Sequence, residues 1–180
     1  KVQNILAKGS VNHLKYQLRK SKNDHFNDIQ KMIELADKNE ISSNIYLEDW
    51  SNGMKSSPDY IYEFIKMLSG TSIKRIMLPD TLGVLNPTMT YSYIYSLCNE
   101  FPNLHFDFHG HNDYDLSVAN TLEAIKAGCD GIHSTINGMG ERAGNTPLAS
   151  IIAANNDFLK DFNIEINEKN LYNVSKLVST

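Results

Sequence analysis

The sequence predicts an α/β fold built from parallel β-α units. Short runs rich in β-branched or aromatic residues alternate with longer stretches of helical periodicity. Several helical stretches open at a cap residue followed by proline. Residues able to do chemistry fall at the ends of successive strand candidates, where parallel α/β folds build their sites.

The first strand candidate is Val2–Ala7. A helix follows in which Phe26, Ile29, Ile33 and Ala36 share one face. The second strand candidate is Asn44–Glu48. Ser57-Pro58 then opens a helix whose apolar stripe is Ile61, Phe64, Ile65 and Leu68. The third candidate is Ile73–Leu78, and its helix starts at Asn86-Pro87. The fourth is Leu104–His109, with Gly128 after Ala127 as the stop of the next helix. The fifth is Gly131–Ile136, and Thr146-Pro147 is expected to cap the helix that follows. Leu171, Val174, Leu177 and Val178 mark one more amphipathic helix. Two architectures fit these five units. One is a doubly wound sheet complete at 180 residues, and the other is five-eighths of a (β/α)8 TIM barrel. Length favours the first. The second calls for about three further units before the chain, and Lys1 in place of an initiator Met suits non-native ends.

Hydrophobic residues at 41% and charged residues at 21% are ordinary for a globular domain with a sizeable core. The net charge of -4 gives no basic surface for nucleic acid or an anionic membrane. No apolar run approaches bilayer length and no signal peptide opens the chain. Cys98 and Cys129 form no C-x-x-C pair and are expected to be buried thiols, which suits a reducing cytoplasm.

Four consecutive strand candidates lead into polar groups: Glu48-Asp49, Asp80-Thr81, His109-Gly110-His111-Asn112-Asp113, and the stretch from Asn137 to Asn145. His109 and His111 are two apart, so an extended chain points both imidazoles the same way, and together they can grip one divalent ion. The alternative is a pair of hydrogen-bonded histidines. His13, His25, His105 and His133 have no such partner and are expected to be structural or surface residues. Gly138–Asn145 is a glycine-rich turn in which the Asn145 amide oxygen could complete a metal shell or merely help form a loop before a helix. Glu48 stands where a barrel-lining carboxylate can act as a general base. Tyr46 shares its face and would otherwise be filling, and Asp80-Thr81 would otherwise be a self-satisfied turn.

The blocks H-G-H-N-D at 109–113 and G-M-G-E-R-A-G-N at 138–145 resemble the two signatures of the 2-isopropylmalate, homocitrate and citramalate synthases. L-P-D-T-L-G at 78–83 and L-E-D at 47–49 resemble the same family's preceding strand ends, in the same order. Y-L-E-D-W-S-N-G at 46–53 is most similar to the (R)-citramalate synthase branch. The H-x-H-[ND] element is shared with the hydroxymethylglutaryl-CoA lyases, whereas G-E-R-A-G-N points to the synthases.

The resemblance implies a TIM barrel of which residues 1–160 are the C-terminal part, strands four to eight, with 161–180 opening a helical subdomain. It implies that acetyl-CoA condenses with a small 2-oxo acid, either pyruvate or 2-oxoisovalerate, in leucine or isoleucine biosynthesis. It further implies that His109, His111 and Asn145 bind a divalent metal (Mn, Zn, Mg or Co) and that Thr81 binds the 2-oxo acid's carboxylate. Glu48 would serve acid/base chemistry on acetyl-CoA and Tyr46 would line the pocket. The family's metal-binding Asp, the Arg beside it and a later His have no counterpart within 1–180, so this stretch alone is expected to be inactive. Unpaired edges at the first and fifth strands are expected to drive self-association or a homodimer. The competing expectations are an acyl-CoA lyase of the same superfamily and a metal-free doubly wound binding domain.

Overall fold

The computed structural model describes residues 1–159 and 167–179. Its five strands are β1 (Val2–Lys8), β2 (Ser42–Glu48), β3 (Arg75–Asp80), β4 (Phe106–Gly110) and β5 (Gly131–His133). They pair in parallel in the order β1-β2-β3-β4-β5. A doubly wound sheet reverses its strand order partway, whereas here every crossover steps one strand the same way. The sheet is therefore five consecutive β-α units of a TIM-barrel wall.

Helices cover one face of this wall. They are α1 (Val11–His13, running into a π-turn at Leu14–Leu18), α2 (Lys22–Lys38), α3 (Trp50–Ser56), α4 (Pro58–Ser69), α5 (Pro87–Glu100), α6 (Ser117–Lys126) and α7 (Leu148–Phe158), whereas α8 (Leu171–Val178) packs against the Ile136–Gly138 turn. Alternate strand residues Ile5, Ile45, Leu47, Ile76, Leu78, Phe106 and Phe108 pack against Ile29, Ile33, Ile61, Phe64, Ile65 and Leu68. Phe26 stacks on Phe64 at 4.6 Å between ring centroids. Fully burying each such side chain contributes roughly 1.5–3 kcal/mol, so this face carries the stability. The other face leaves Val2 and Leu6 63% and 64% exposed, which shows that these described residues do not cover it.

Local chemistry sets the boundaries. Asn86 caps α5 by accepting the Met89 N–H at 2.9 Å. Pro58 stands at the start of α4, but the Ser57 hydroxyl does not cap it. The expected cap at Thr146 is corrected. Pro147 occupies the N-cap of α7, and the buried Thr146 hydroxyl instead meets Thr121 Oγ1 at 3.0 Å. The fifth strand is shorter than expected, because Thr135 leaves β4 to bond the Thr146 carbonyl and receive the Leu148 N–H. Both cysteines are half-buried free thiols. Burial pushes Cys98 up to about 11 and Cys129 to about 12, so neither is a ready nucleophile. The expected boundary at 160/161 lies outside the described residues. None of the described helices is long and apolar enough to cross a membrane.

Candidate active site and metal centre

Strand parity sorts β4 into two sets. Phe106 and Phe108 face the helices, leaving Asp107 and His109, then His111, for the open face. Register sets Tyr46 beside Met77, which pairs in turn with Asp107, and sets His109 beside Pro79 and His133. A cleft of about 150 Å³ at the C-terminal strand ends is lined by Leu6, Tyr46, Glu48, Pro79, Thr81, His109 and His111. It thus gathers five of the six expected site residues. The sixth, Asn145, joins them through the backbone, forming an antiparallel bridge with His111.

The His109 and His111 ring centroids are 5.0 Å apart. Burial, reinforced by the charges of His111 and His133, pushes His109 down to about 4. Burial and then the nearby Arg142 guanidinium lower His111. Both rings are therefore neutral near pH 7, as metal ligands must be. His109 Nδ1, His111 Nδ1 and Asn145 Oδ1 are all buried, and none has a hydrogen-bond partner. Three orphaned polar atoms on adjoining segments are costly unless something satisfies them, and two imidazoles with one amide oxygen suit a divalent ion. No group of three or more His, Cys, Asp or Glu able to hold a metal occurs among the described residues. The donor set fits a metal but completes only part of a shell.

The glycine-rich loop is shaped to present Asn145. The Asn145 N–H bonds Gly138 O at 3.0 Å, and its Nδ2 bonds Met139 O at 3.2 Å, which leaves Oδ1 as the free acceptor. A side chain at Gly140 would place its Cβ 2.5 Å from Asn145 Nδ2. At Gly144, with φ +90°, it would lie 2.1 Å from Gly138 O. Arg142 ties the loop down. Its Nε and Nη2 grip both Asp113 oxygens at 2.7 and 2.9 Å, and Nη2 also reaches Thr81 O at 2.8 Å. This guanidinium holds the Asp113 carboxyl below its usual range.

Thr81 Oγ1 accepts the Asp49 N–H at 2.8 Å, which leaves its own proton to donate toward the cleft. Asp80 behaves as the turn residue that the alternative reading described. It is buried, and it accepts the Val84 and Leu85 N–H groups at 3.0 Å each. Burial raises its pKa, while Ser51 and those two amides oppose the shift. Glu48 forms an ion pair with Lys8. The Tyr46 ring lies edge-on to His109 at 6.5 Å, with its hydroxyl 3.5 Å from His133 Nδ1. Burial, then the Asp107 charge, raises the tyrosine's pKa.

Three arrangements at the site are not legible in the sequence as motifs. Lys8 ends β1, so the strand-end rule applied to the other four strands would have found it. His133, expected to be structural or surface, lies 5.5 Å from the His109 ring and 3.7 Å from the buried Asp107 carboxylate. Its signal was the β4–β5 register, which no local pattern displays. The Arg142–Asp113 clamp joins residues 29 apart in the chain. His25 is structural as expected: it is buried and its Nε2 accepts the Lys8 N–H. His105 bonds Asp107 at 2.8 Å, and His13 lies 3.5 Å from Asp49.

Residues 2–178 match the HMGL-like family. The chain is 37% identical over 142 residues to a homocitrate synthase of Sulfurisphaera tokodaii, covering 79% of this chain and 30% of that protein. It is 34% identical over 167 residues to a probable 2-isopropylmalate synthase of Ignicoccus hospitalis, covering 93% and 41% respectively. The crystal structure of hydroxymethylglutaryl-CoA lyase from Pseudomonas aeruginosa superposes with a TM-score of 0.84 at 17% identity, over 99% of this chain and 62% of that one. At that identity the likeness establishes the fold. The chain spans well under half the length of the curated relatives it matches.

Proposed function

The chain belongs to the HMGL-like family, and from that footing we propose that the protein condenses acetyl-CoA with a small 2-oxo acid. The observation that carries this reading is that His109 Nδ1, His111 Nδ1 and Asn145 Oδ1 are all buried and unpartnered on adjoining segments, beside a cleft that Glu48 and Thr81 also line. The synthase names of its relatives support condensation in preference to cleavage.

His109, His111 and Asn145 would hold a divalent ion. Imidazole suits Zn or Co, and the amide oxygen tilts the set toward Mn or Mg. When bound, such an ion polarises the ketone of a chelated 2-oxo acid. Thr81 donates its hydroxyl proton to the acid's carboxylate, with Oγ1 held by the Asp49 N–H. Glu48 takes a proton from the acetyl methyl group, and the resulting carbanion forms a bond to the 2-oxo carbon. The ketone oxygen takes up a proton, matching the one lost to Glu48, and becomes a hydroxyl; water then adds to the thioester carbonyl, leaving a carboxylate and releasing CoA thiol. Tyr46 lines the cleft with Leu6 and Pro79, and its bulk favours a small side chain on the 2-oxo acid, hence pyruvate and citramalate as product. One methylene is worth only about 1–3 kcal/mol of discrimination in such pockets.

The test is CoA-thiol release by the full-length protein with acetyl-CoA, a divalent metal, and either pyruvate or 2-oxoisovalerate. Release with pyruvate supports the whole reading. Release only with 2-oxoisovalerate keeps the chemistry and discards the Tyr46 argument. Cleavage of hydroxymethylglutaryl-CoA without condensation would make the protein a lyase.

A further inference from the structure

We infer that α8, which lies after the last barrel helix, is a positioning element of the metal site and acts through Asn137. This rests on the metal ligation proposed above for Asn145. Asn137 sits in the short 3-10 turn Ile136–Gly138 with φ 56°, a left-handed conformation that few non-glycine residues adopt. It is solvent-exposed, yet its side chain is fully engaged. Its Nδ2 donates to Ser175 O at 2.9 Å and Ser179 Oγ at 3.2 Å, and its Oδ1 accepts from the Ser175 hydroxyl. The Ser179 hydroxyl also donates to Ser175 O at 2.7 Å, closing the clasp.

The next peptide carries the consequence. Gly138 O accepts the Asn145 N–H at 3.0 Å, and it is also the atom that excludes a side chain at Gly144. Asn137 therefore fixes the peptide on which the Asn145 backbone hangs. The Asn145 amide is aimed in turn by Met139 O, one residue further along the same turn. Helix α8 touches this turn and the clasp joins them, so a shift of α8 must move the turn or break three hydrogen bonds. Asn137 is a positioning residue, and it holds the oxygen of another residue where an ion would meet it.

The test uses the metal-free full-length protein titrated with MnCl2 by calorimetry, with the melting temperature of each metal-free variant measured in parallel. Asn137→Gly keeps the left-handed backbone without strain and deletes the clasp. Loss of outer-shell support commonly weakens a metal site 10- to 100-fold, so a Kd rise of about tenfold is expected with little change in melting temperature. Ser175→Ala attacks the clasp from the helix side and should weaken binding in the same direction, while Ser175→Thr, which keeps the hydroxyl, restores it. Should Asn137→Gly fail to fold, the serine pair decides alone. A Kd within twofold of the parent in these variants, alongside clear weakening by Asn145→Ala, would reduce the clasp to a surface contact and overturn the inference. An unchanged Kd in Asn145→Ala removes the ligand and the inference together. Normal metal binding without CoA release overturns only the proposed activity.

Discussion

Acidification of the metal-free protein should cost stability through His109, and the size of the loss follows from its surroundings. Burial, with His111 and His133 alongside, pushes His109 from the ordinary 6.5 down to about 4. The native state then holds the ring neutral while the unfolded chain protonates it. Stability contributed by the neutral ring is complete above pH 6.5 and is lost as pH falls toward 4, because the unfolded state binds the extra proton. A difference of about 2.5 pH units at 1.36 kcal/mol each gives about 3 kcal/mol over that window. Urea unfolding in chelator at half-unit steps from pH 7 to pH 4 measures it, and His109→Gln isolates it. His25 and His111 are also lowered and will add slope of their own, so the difference between the two proteins is the quantity that matters. Asp107, whose pKa is lowered, adds a loss only toward the acid end of the window as its unfolded form protonates, and it is present in both proteins. Parallel pH curves for parent and His109→Gln would refute the neutral, desolvated state that makes this ring a ligand.

Three further outcomes are expected. Gly144→Ala places a Cβ 2.1 Å from Gly138 O at φ +90°, so it should lower stability by about 1–3 kcal/mol and weaken Mn binding, checked by melting and calorimetry. Lys8→Met frees the Glu48 carboxylate from its ion pair and should cut kcat about tenfold with KM for the 2-oxo acid little changed, while Lys8→Arg recovers part of it; steady-state CoA release reads the split. Residues 1–180 expressed alone should self-associate, because β1 and β5 each have one neighbour among the described residues and Val2 and Leu6 are exposed beside an unpaired edge; a monomer by light scattering at moderate concentration would refute this.

What was legible in the sequence divides along physical lines. Helical stripes such as Ile61, Phe64, Ile65 and Leu68 follow from a local period, and all four are fully buried. His109 and His111 were legible for the same reason, since an alternation of two is a property of one strand. The choice between a doubly wound sheet and a barrel wall was not local, because strand order depends on which neighbour each strand joins. His133 was lost in the same way. Its importance comes from standing beside His109 in the register, and register is written across two strands that share no motif. The Thr146 cap failed because its hydroxyl had a better partner on α6, where Thr121 offers a second buried hydroxyl. Capping preference is a weak prior once tertiary contacts compete for the same oxygen.

The same alternation that conceals the register also separates stability from chemistry. On β4, Phe106 and Phe108 hold the helix layer, whereas Asp107 and His109, which alternate with them, face the other way. Asp107 is buried on that functional side, where it meets His105 at 2.8 Å, Arg75 at 3.4 Å and His133 at 3.7 Å. A charge held there costs desolvation that its partners must offset, so that face is built for placing groups at the expense of folding energy. Substitutions on the Phe108 side should therefore change stability first, and those on the His109 side should change ligand affinity first, although the two residues are adjacent in the chain. Such a division is what a barrel strand requires if one sequence is to hold a core and a site at once.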